Sequence, residues 1–238
     1  MQNIRNIASH NTLQHWLIPA KPRVGSPTVA LCNKSYLFWK DFWLRIFQEN
    51  GTNDTPNPDE FFRQDWLSVI TRGKRGTVIA LHTYTLFNLE QIAAREHSYV
   101  TGHFTQRYMD ELQARGCRSA MTMEYFAVAS EWRSGQLGVP LASVLLGLGL
   151  NVARSLEIDV IMGIARTDVG VDKMTHKFGA ITVDKGLQLH NTPCDLVAFF
   201  RENFQEHRDP QVREFTSTLW KNCLNFTSPK QRKIKNAA

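Results

Sequence analysis

Hydrophobic and polar positions along the chain alternate between two periods. From Ser35 to Gln48, "SYLFWKDFWLRIFQ", the apolar residues Phe38, Phe42, Trp43 and Ile46 recur near helical spacing, with Ser35 as a plausible N-cap. The polar run "ENGTNDTPNPDE" reads as a loop. "FFRQDWLSVITRGKRGTVIALHTYTLF" then reads as two strands joined around the basic turn "RGKRG". A helix is expected from His103 to Gly116, closed by its glycine. A strand follows from Met121 to Ala129, then a polar loop, an apolar helix from Val139 to Leu156 and a strand from Ile158 to Ala165. Pro140 fits the first turn of that helix, where a missing N–H costs least. Downstream come a short helix from Asp168 to Gly179, the strands "AITVD" and "DLVAFF", and a last helix with Asp209 as N-cap and Pro210 at its first position. The first 33 residues show no sustained pattern. These elements predict an α/β chain built on a mixed sheet. One domain over residues 34–226 would carry it, between the unpatterned N-terminal segment and a basic tail over 227–238.

Composition narrows the function classes only a little. The 238 residues are 42% hydrophobic, enough for one sizeable core. With 28 Lys+Arg against 22 Asp+Glu the net charge is +6, compatible with nucleic acid, a membrane surface, a phosphorylated co-substrate or an acidic partner. The basic residues are dispersed apart from "SPKQRKIKNAA" at the C-terminus, and no nucleic-acid recognition signature appears, so nucleic acid is the least favoured partner. Cys32, Cys117, Cys194 and Cys223 are far apart and form no CxxC pair, so neither a metal site nor a disulfide framework is expected. The N-terminus has no apolar leader pattern, and the most apolar window, Val139 to Val152, is too short to span a bilayer. A cytoplasmic protein without a transmembrane segment is the expectation.

Candidate chemistry centres on "RSGQLG", Arg133 to Gly138, between the strand and the apolar helix. A helix N-terminus exposes unpaired N–H groups and a partial positive charge, which favour phosphate. Glycines allow close approach of the backbone, and Arg133 adds a full charge. Alone, this is also what a tight turn looks like.

In order and spacing, "FAV" (Phe126, Ala127, Val128), "ASEW" and "RSGQLG" resemble the central motif of the GNAT superfamily of acyltransferases. In that family a strand is followed by R/Q-x-x-G-x-G/A opening a helix, and the resemblance implies the family's α/β fold, a mixed, mostly antiparallel central sheet flanked by helices. Arg133 takes the first motif position and Gly138 the last, while Gln136 stands where the family has its first glycine. The resemblance implies that Phe126, Ala127, Val128, Arg133, Ser134, Gly135, Gln136, Leu137, Gly138 and Val139 hold the phosphopantetheine and pyrophosphate of an acyl-CoA or acyl carrier protein. That donor would be a co-substrate, and no tightly bound cofactor is implied. A second match is "MTHKFGA": Lys177, Phe178 and Gly179 fit, and Met174 stands where the family commonly has a tyrosine general acid. His176 beside it reads as a surface histidine. Upstream, "SYLFWKDFWLRIF" and the two strands after it are similar in order to the acyl-homoserine lactone synthases and N-acyl amino acid synthases. Those branches take long acyl chains. The bulky aromatics of that helix suit an acyl pocket or a plain core.

Within the strand "MTMEYFAV", Glu124 is the candidate proton acceptor, because a carboxylate in an apolar strand is costly unless it lines a cleft or is paired. Ion pairing with an arginine and a strand edge facing water are the alternatives. Strict alternation would put Glu124 with Thr122, Phe126 and Val128, and Tyr125 on the opposite face. The reaction implied is acyl transfer from a thioester to a small amine acceptor such as an amino acid. The other readings are an acetyl-CoA-dependent acetyltransferase and a non-catalytic thioester-binding or interaction protein.

Overall fold

The computed structural model describes residues 13–133 and 137–227. In chain order the elements are β1 (Leu13–Pro19), α1 (Val29–Glu49), α2 (Pro58–Phe62), β2 (Trp66–Arg72), β3 (Thr77–Asn88), α3 (Ile92–Arg95), α4 (Ser98–His103), α5 (Gln106–Ala114) and β4 (Ser119–Val128). Then come α6 (Leu141–Ser155), β5 (Val160–Arg166), α7 (Val171–His176), β6 (Ile181–Leu189), β7 (Thr192–Phe200), α8 (Pro210–Lys221) and β8 (Leu224–Asn225). The strands form one sheet in the order β6-β7-β5-β4-β3-β2-β1-β8. Pairing is antiparallel except between β4 and β5 and between β1 and β8. The expected mixed, mostly antiparallel sheet flanked by helices is what the chain forms.

One departure lies at the start. Leu13–Pro19, inside the segment expected to be unpatterned, is a strand that pairs with β2 over its whole length. Its alternation is hidden because the buried face includes a histidine: His15 is as enclosed as Leu17. The first helix also begins earlier than expected, at Val29, before Ser35. The basic tail over residues 228–238 lies outside the described residues.

Helices cover both faces of the sheet. On one side α6 and α8 pack Leu141, Val144, Leu145, Leu148, Val212 and Phe215 onto Ile70, Ile79 and Val128. Pro140 sits at the N-cap of α6, one place before its first turn. On the other side Trp39 and neighbouring apolar residues of α1 cover Ile18, Leu67, Val69 and Leu81, while α4 and α5 cover Ala120, Met162 and Ala198.

The α6/α8 side also buries a polar row across β1, β2 and β3. His15 Nε2 lies 2.9 Å from Ser68 Oγ. His82 faces the ring of Phe126 edge-on, with centroids 5.0 Å apart, and that of Tyr84 at 5.3 Å. Among the described residues neither His15 Nδ1 nor His82 Nδ1 has a hydrogen-bond partner. Burial lowers the pKa of each imidazole to about 3, from an ordinary 6.5. Both are therefore neutral in the folded protein at neutral pH.

Their linkage to folding has a definite sign. Between about pH 6.5 and 3 the unfolded chain binds protons at these positions that the folded chain refuses. Their contribution to stability is complete above pH 6.5 and is lost as pH falls below it. Each histidine adds up to about 1.4 kcal/mol per pH unit to the slope. In urea titrations from pH 6 to 4.5, His82→Phe should flatten the fall in unfolding free energy by about that amount, and parallel slopes would show that His82 takes up a proton while folded. A second expectation concerns Gly179, whose φ of +93° and whose Cβ position, 1.8 Å from the Asn203 carbonyl oxygen, leave no room for a side chain. Gly179→Ala should cost more than about 2 kcal/mol, a drop of several degrees in Tm for a chain of this size.

Candidate active site

The centre of the sheet is where regular pairing fails. β4 and β5 are joined in parallel only over Ala120–Thr122 and Val160–Met162. Beyond that point β5 stays with β7 as far as Arg166, and β4 stays with β3 as far as Val128. A wedge opens between them, and among the described residues no strand pairs with the β5-facing side of β4 from Met123 onward.

At the mouth of the wedge β4 carries a bulge. Thr83 pairs with Glu124 and Leu81 with Ala127, so three residues of β4 span what two of β3 span. Tyr125 takes the left-handed conformation, φ +53°, that lets the extra residue fit. The bulge overturns the alternation expected from the sequence. Glu124 stays on the face of Thr122, but Tyr125 joins it there, packing edge-on against Trp39 and Trp43 of α1 at 5.3 and 5.5 Å. Phe126 and Val128 turn to the opposite face, toward α6.

Glu124 is the hub of a buried polar cluster. Its Oε1 accepts from Thr122 Oγ1 at 2.6 Å and from Arg63 Nη1 at 3.1 Å; its Oε2 accepts from Arg63 Nη2 and from Gln64 Nε2 at 3.2 Å. Arg63 also donates from Nε to Glu60 Oε2 at 2.7 Å and from Nη1 to Thr85 at 3.3 Å, and its guanidinium lies 3.8 Å over the Tyr99 ring. The Tyr125 hydroxyl donates to the same Glu60 oxygen at 3.2 Å.

Electrostatics follow from this geometry. Burial alone would lower the Arg63 pKa, but Glu124 and Glu60 outweigh it and hold it above the ordinary arginine value. Burial, then Glu60 and Glu124, push the Tyr125 hydroxyl well up, so it stays protonated. Burial lowers His103, which keeps it neutral near pH 7 although Glu124 and Glu60 pull the other way. Two carboxylates against one guanidinium leave the cluster with one net negative charge.

Sequence reading found Glu124 but missed Glu60, Arg63 and Gln64, which lie in a stretch taken as loop running into a strand. The signal was present: Asn57 caps α2 by accepting from Asp59 N at 3.0 Å, with Pro58 at the first helical position. The aromatics of the first helix pack on one another and on α2: Trp39 meets Tyr36 at 5.8 Å and Phe61 at 5.4 Å.

The loop after β4 folds back on it. Ser130–Trp132 form a single 3₁₀ turn, Arg133 Nε donates to the Val128 carbonyl at 2.9 Å, and its guanidinium lies 5.2 Å from the Phe42 ring. Ser134, Gly135 and Gln136 lie outside the described residues. Leu137 and Val139 are buried, and Gly138 has φ +73°. Among the described residues no side chain caps α6, and its first turn carries no acidic residue. The wedge, the bulge and this helix start thus converge on the C-terminal half of β4. Met174 packs on the α6 side, against the same hydrophobic cluster as Met123 and Phe126, and His176, exposed at the end of α7, lies 2.9 Å from Thr182 Oγ1.

Arg63 and Glu124 are 15% and 5% exposed at their side chains. Removing one partner of so buried a pair leaves an uncompensated charge, at a cost of about 3–5 kcal/mol. Arg63→Ala should show that loss in urea unfolding, and Arg63→Ala with Glu124→Gln should recover part of it. Additive losses would mean that the two side chains are not coupled.

No protein-family model matches the chain, and no curated protein matches it. Solved structures do. FeeM, an N-acyl amino acid synthase from uncultured soil microbes, superposes with a TM-score of 0.55 at 9% identity, covering 86% of this chain and 99% of that one. The CoA-dependent acyl-homoserine lactone synthase BjaI, solved with MTA, gives 0.54 at 13% identity over 90% and 93% of the two chains. An N-acetyltransferase described as putative in its name, from Lactobacillus plantarum, gives 0.51 at 9% identity over 80% and 99%. At these identities the likeness establishes architecture, and the chain has the GNAT-like acyltransferase fold that its central motif implied.

Proposed function

We propose that the chain is an N-acyltransferase that moves an acyl group from a phosphopantetheine thioester, carried by coenzyme A or by acyl carrier protein, to an amine such as an amino acid. The observation that carries this reading is the wedge between β4 and β5, which opens after Thr122, holds the bulged Tyr125 and is flanked by the start of α6. Acyl transfer needs an aligned thioester, donors for the oxyanion of the tetrahedral intermediate and a neutral amine. A strand edge without a partner supplies backbone groups along Phe126, Ala127 and Val128 for the pantetheine arm and the carbonyl oxygen. The start of α6, with Gly138 and Val139 before it, supplies N–H groups for the pyrophosphate, and Arg133, Ser134, Gly135, Gln136 and Leu137 complete that loop in this reading.

The acceptor enters from the other face, where Tyr125, Glu124, Arg63 and Tyr99 line the floor. Glu124 serves there as the fixed counter-ion of Arg63. Its oxygens already accept four hydrogen bonds, so taking a proton from the acceptor would require releasing a donor. BjaI is named a CoA-dependent synthase and FeeM an N-acyl amino acid synthase, which supports a pantetheine thioester as donor and an amine as acceptor here. An acetyl-CoA-dependent acetyltransferase uses the same geometry with a shorter acyl group.

Thiol release from acetyl-CoA, palmitoyl-CoA and acyl carrier protein thioesters, measured against a panel of amines, tests the reading. Release above background with at least one pair is expected, and silence with every donor would overturn it. Gly138→Val, in which a β-branched residue meets φ +73° at the start of α6, should weaken donor binding by about tenfold or more, some 1.4 kcal/mol. Unchanged donor affinity would remove the loop from the site.

A further inference from the structure

Two carboxylates approach the acceptor face, and they differ in what they can still accept. Glu124 is 5% exposed at its side chain, and both its oxygens are filled. Glu60 is 35% exposed. Its Oε2 accepts from Arg63 Nε and from the Tyr125 hydroxyl, and no hydrogen bond among the described residues reaches its Oε1. Tyr125 is the bulge residue itself, three residues past the last β4–β5 pair, and its ring lies between Trp39 and Trp43.

We propose that Glu60, acting through the hydroxyl of Tyr125, receives the proton of the acceptor amine, while Glu124 holds Arg63 in place. The proposal rests on the acyltransferase reading above and assigns the proton path that the reading leaves open. The acceptor arrives as an ammonium ion. One N–H proton passes to the Tyr125 oxygen as the Tyr125 proton passes to Glu60 Oε2. The freed amine lone pair forms the C–N bond to the thioester carbon. On collapse the C–S bond breaks, its electron pair leaves on sulfur, and the second N–H proton reaches the thiolate through solvent. Glu60 then returns its proton to water through Tyr125.

The surrounding charges fit this direction of transfer. Arg63 is the C-cap of the helix that carries Glu60; Glu124 and Tyr125 face it from β4; Tyr99 and His103 face it from α4. With His103 neutral, the cluster keeps one net negative charge, which attracts an ammonium and resists a carboxylate. Tyr125, its pKa raised by burial and by the two carboxylates, does not ionise by itself and passes a proton only in concert with Glu60.

Glu60→Gln and Tyr125→Phe test this on whichever donor and amine the wild-type protein turns over. Each should lower kcat by roughly 100- to 10,000-fold with donor affinity unchanged. The double variant should be no slower than the slower single one. In Glu60→Gln the acid limb of the kcat/KM profile should disappear. A rate within threefold of wild type, or an acid limb that persists, would overturn the proposal. A binding arm needs no turnover: benzylamine, titrated at neutral pH against tryptophan fluorescence, should bind about tenfold tighter than benzyl alcohol, and Glu60→Gln should remove the difference. If thiol release fails with every donor but benzylamine discriminates in this way, the acyl-transfer reading falls and Glu60 stands as an ammonium-binding group. Equal binding of the two probes would overturn its role at the amine.

Discussion

A carboxylate buried in the middle of the central strand is the constraint around which this fold is organised. Glu124 stands among Met123, Thr122 and Ala127, where an isolated charge would be expensive. The chain meets that cost by bringing Arg63 and Gln64 down from α2 and Thr122 from within the strand. Arg63 is in turn stacked on Tyr99 of α4 and bonded to Glu60. One buried charge thereby fixes two short helices over the sheet. Neither has the length to be stable alone, since helices of five or six residues lie well below what water supports.

The bulge turns that packing solution into a site. By placing Glu124 and Tyr125 on the same face, it stacks an aromatic hydroxyl beside an ion cluster and sends Phe126 and Val128 to the opposite side. The same irregularity follows shortly after the parting of β4 and β5. The unpaired strand edge and the ion cluster therefore adjoin along one short stretch of chain, which is where the proposed reaction would take place.

Much of this was legible in the sequence, for reasons that can be traced. The strand–loop–helix from Met121 to Leu156 is strongly patterned, and its apolar periods carried through to β4 and α6. The glycine at 179 marked a position that only glycine occupies, because its backbone meets Asn203. What failed did so where a local rule was overridden by tertiary structure. A buried histidine masked β1. Strict alternation missed the bulge, because nothing in "MTMEYFAV" signals a left-handed tyrosine. Arg63 and Glu60 were invisible as site residues, because their partner lies about sixty residues away and only the closed sheet brings them together. Their helix had a readable start at Asn57 and Pro58; its role did not.

The outer strands of the sheet carry a further consequence. β8 is only two residues long, and β6 loses register with β7 twice, around Asp184 and before Leu187, with Lys185 exposed between. The β6 border, bent in this way, offers no long, flat row of free N–H and C=O groups onto which another strand could add. That irregularity guards the sheet against growing by strand addition on its β6 side.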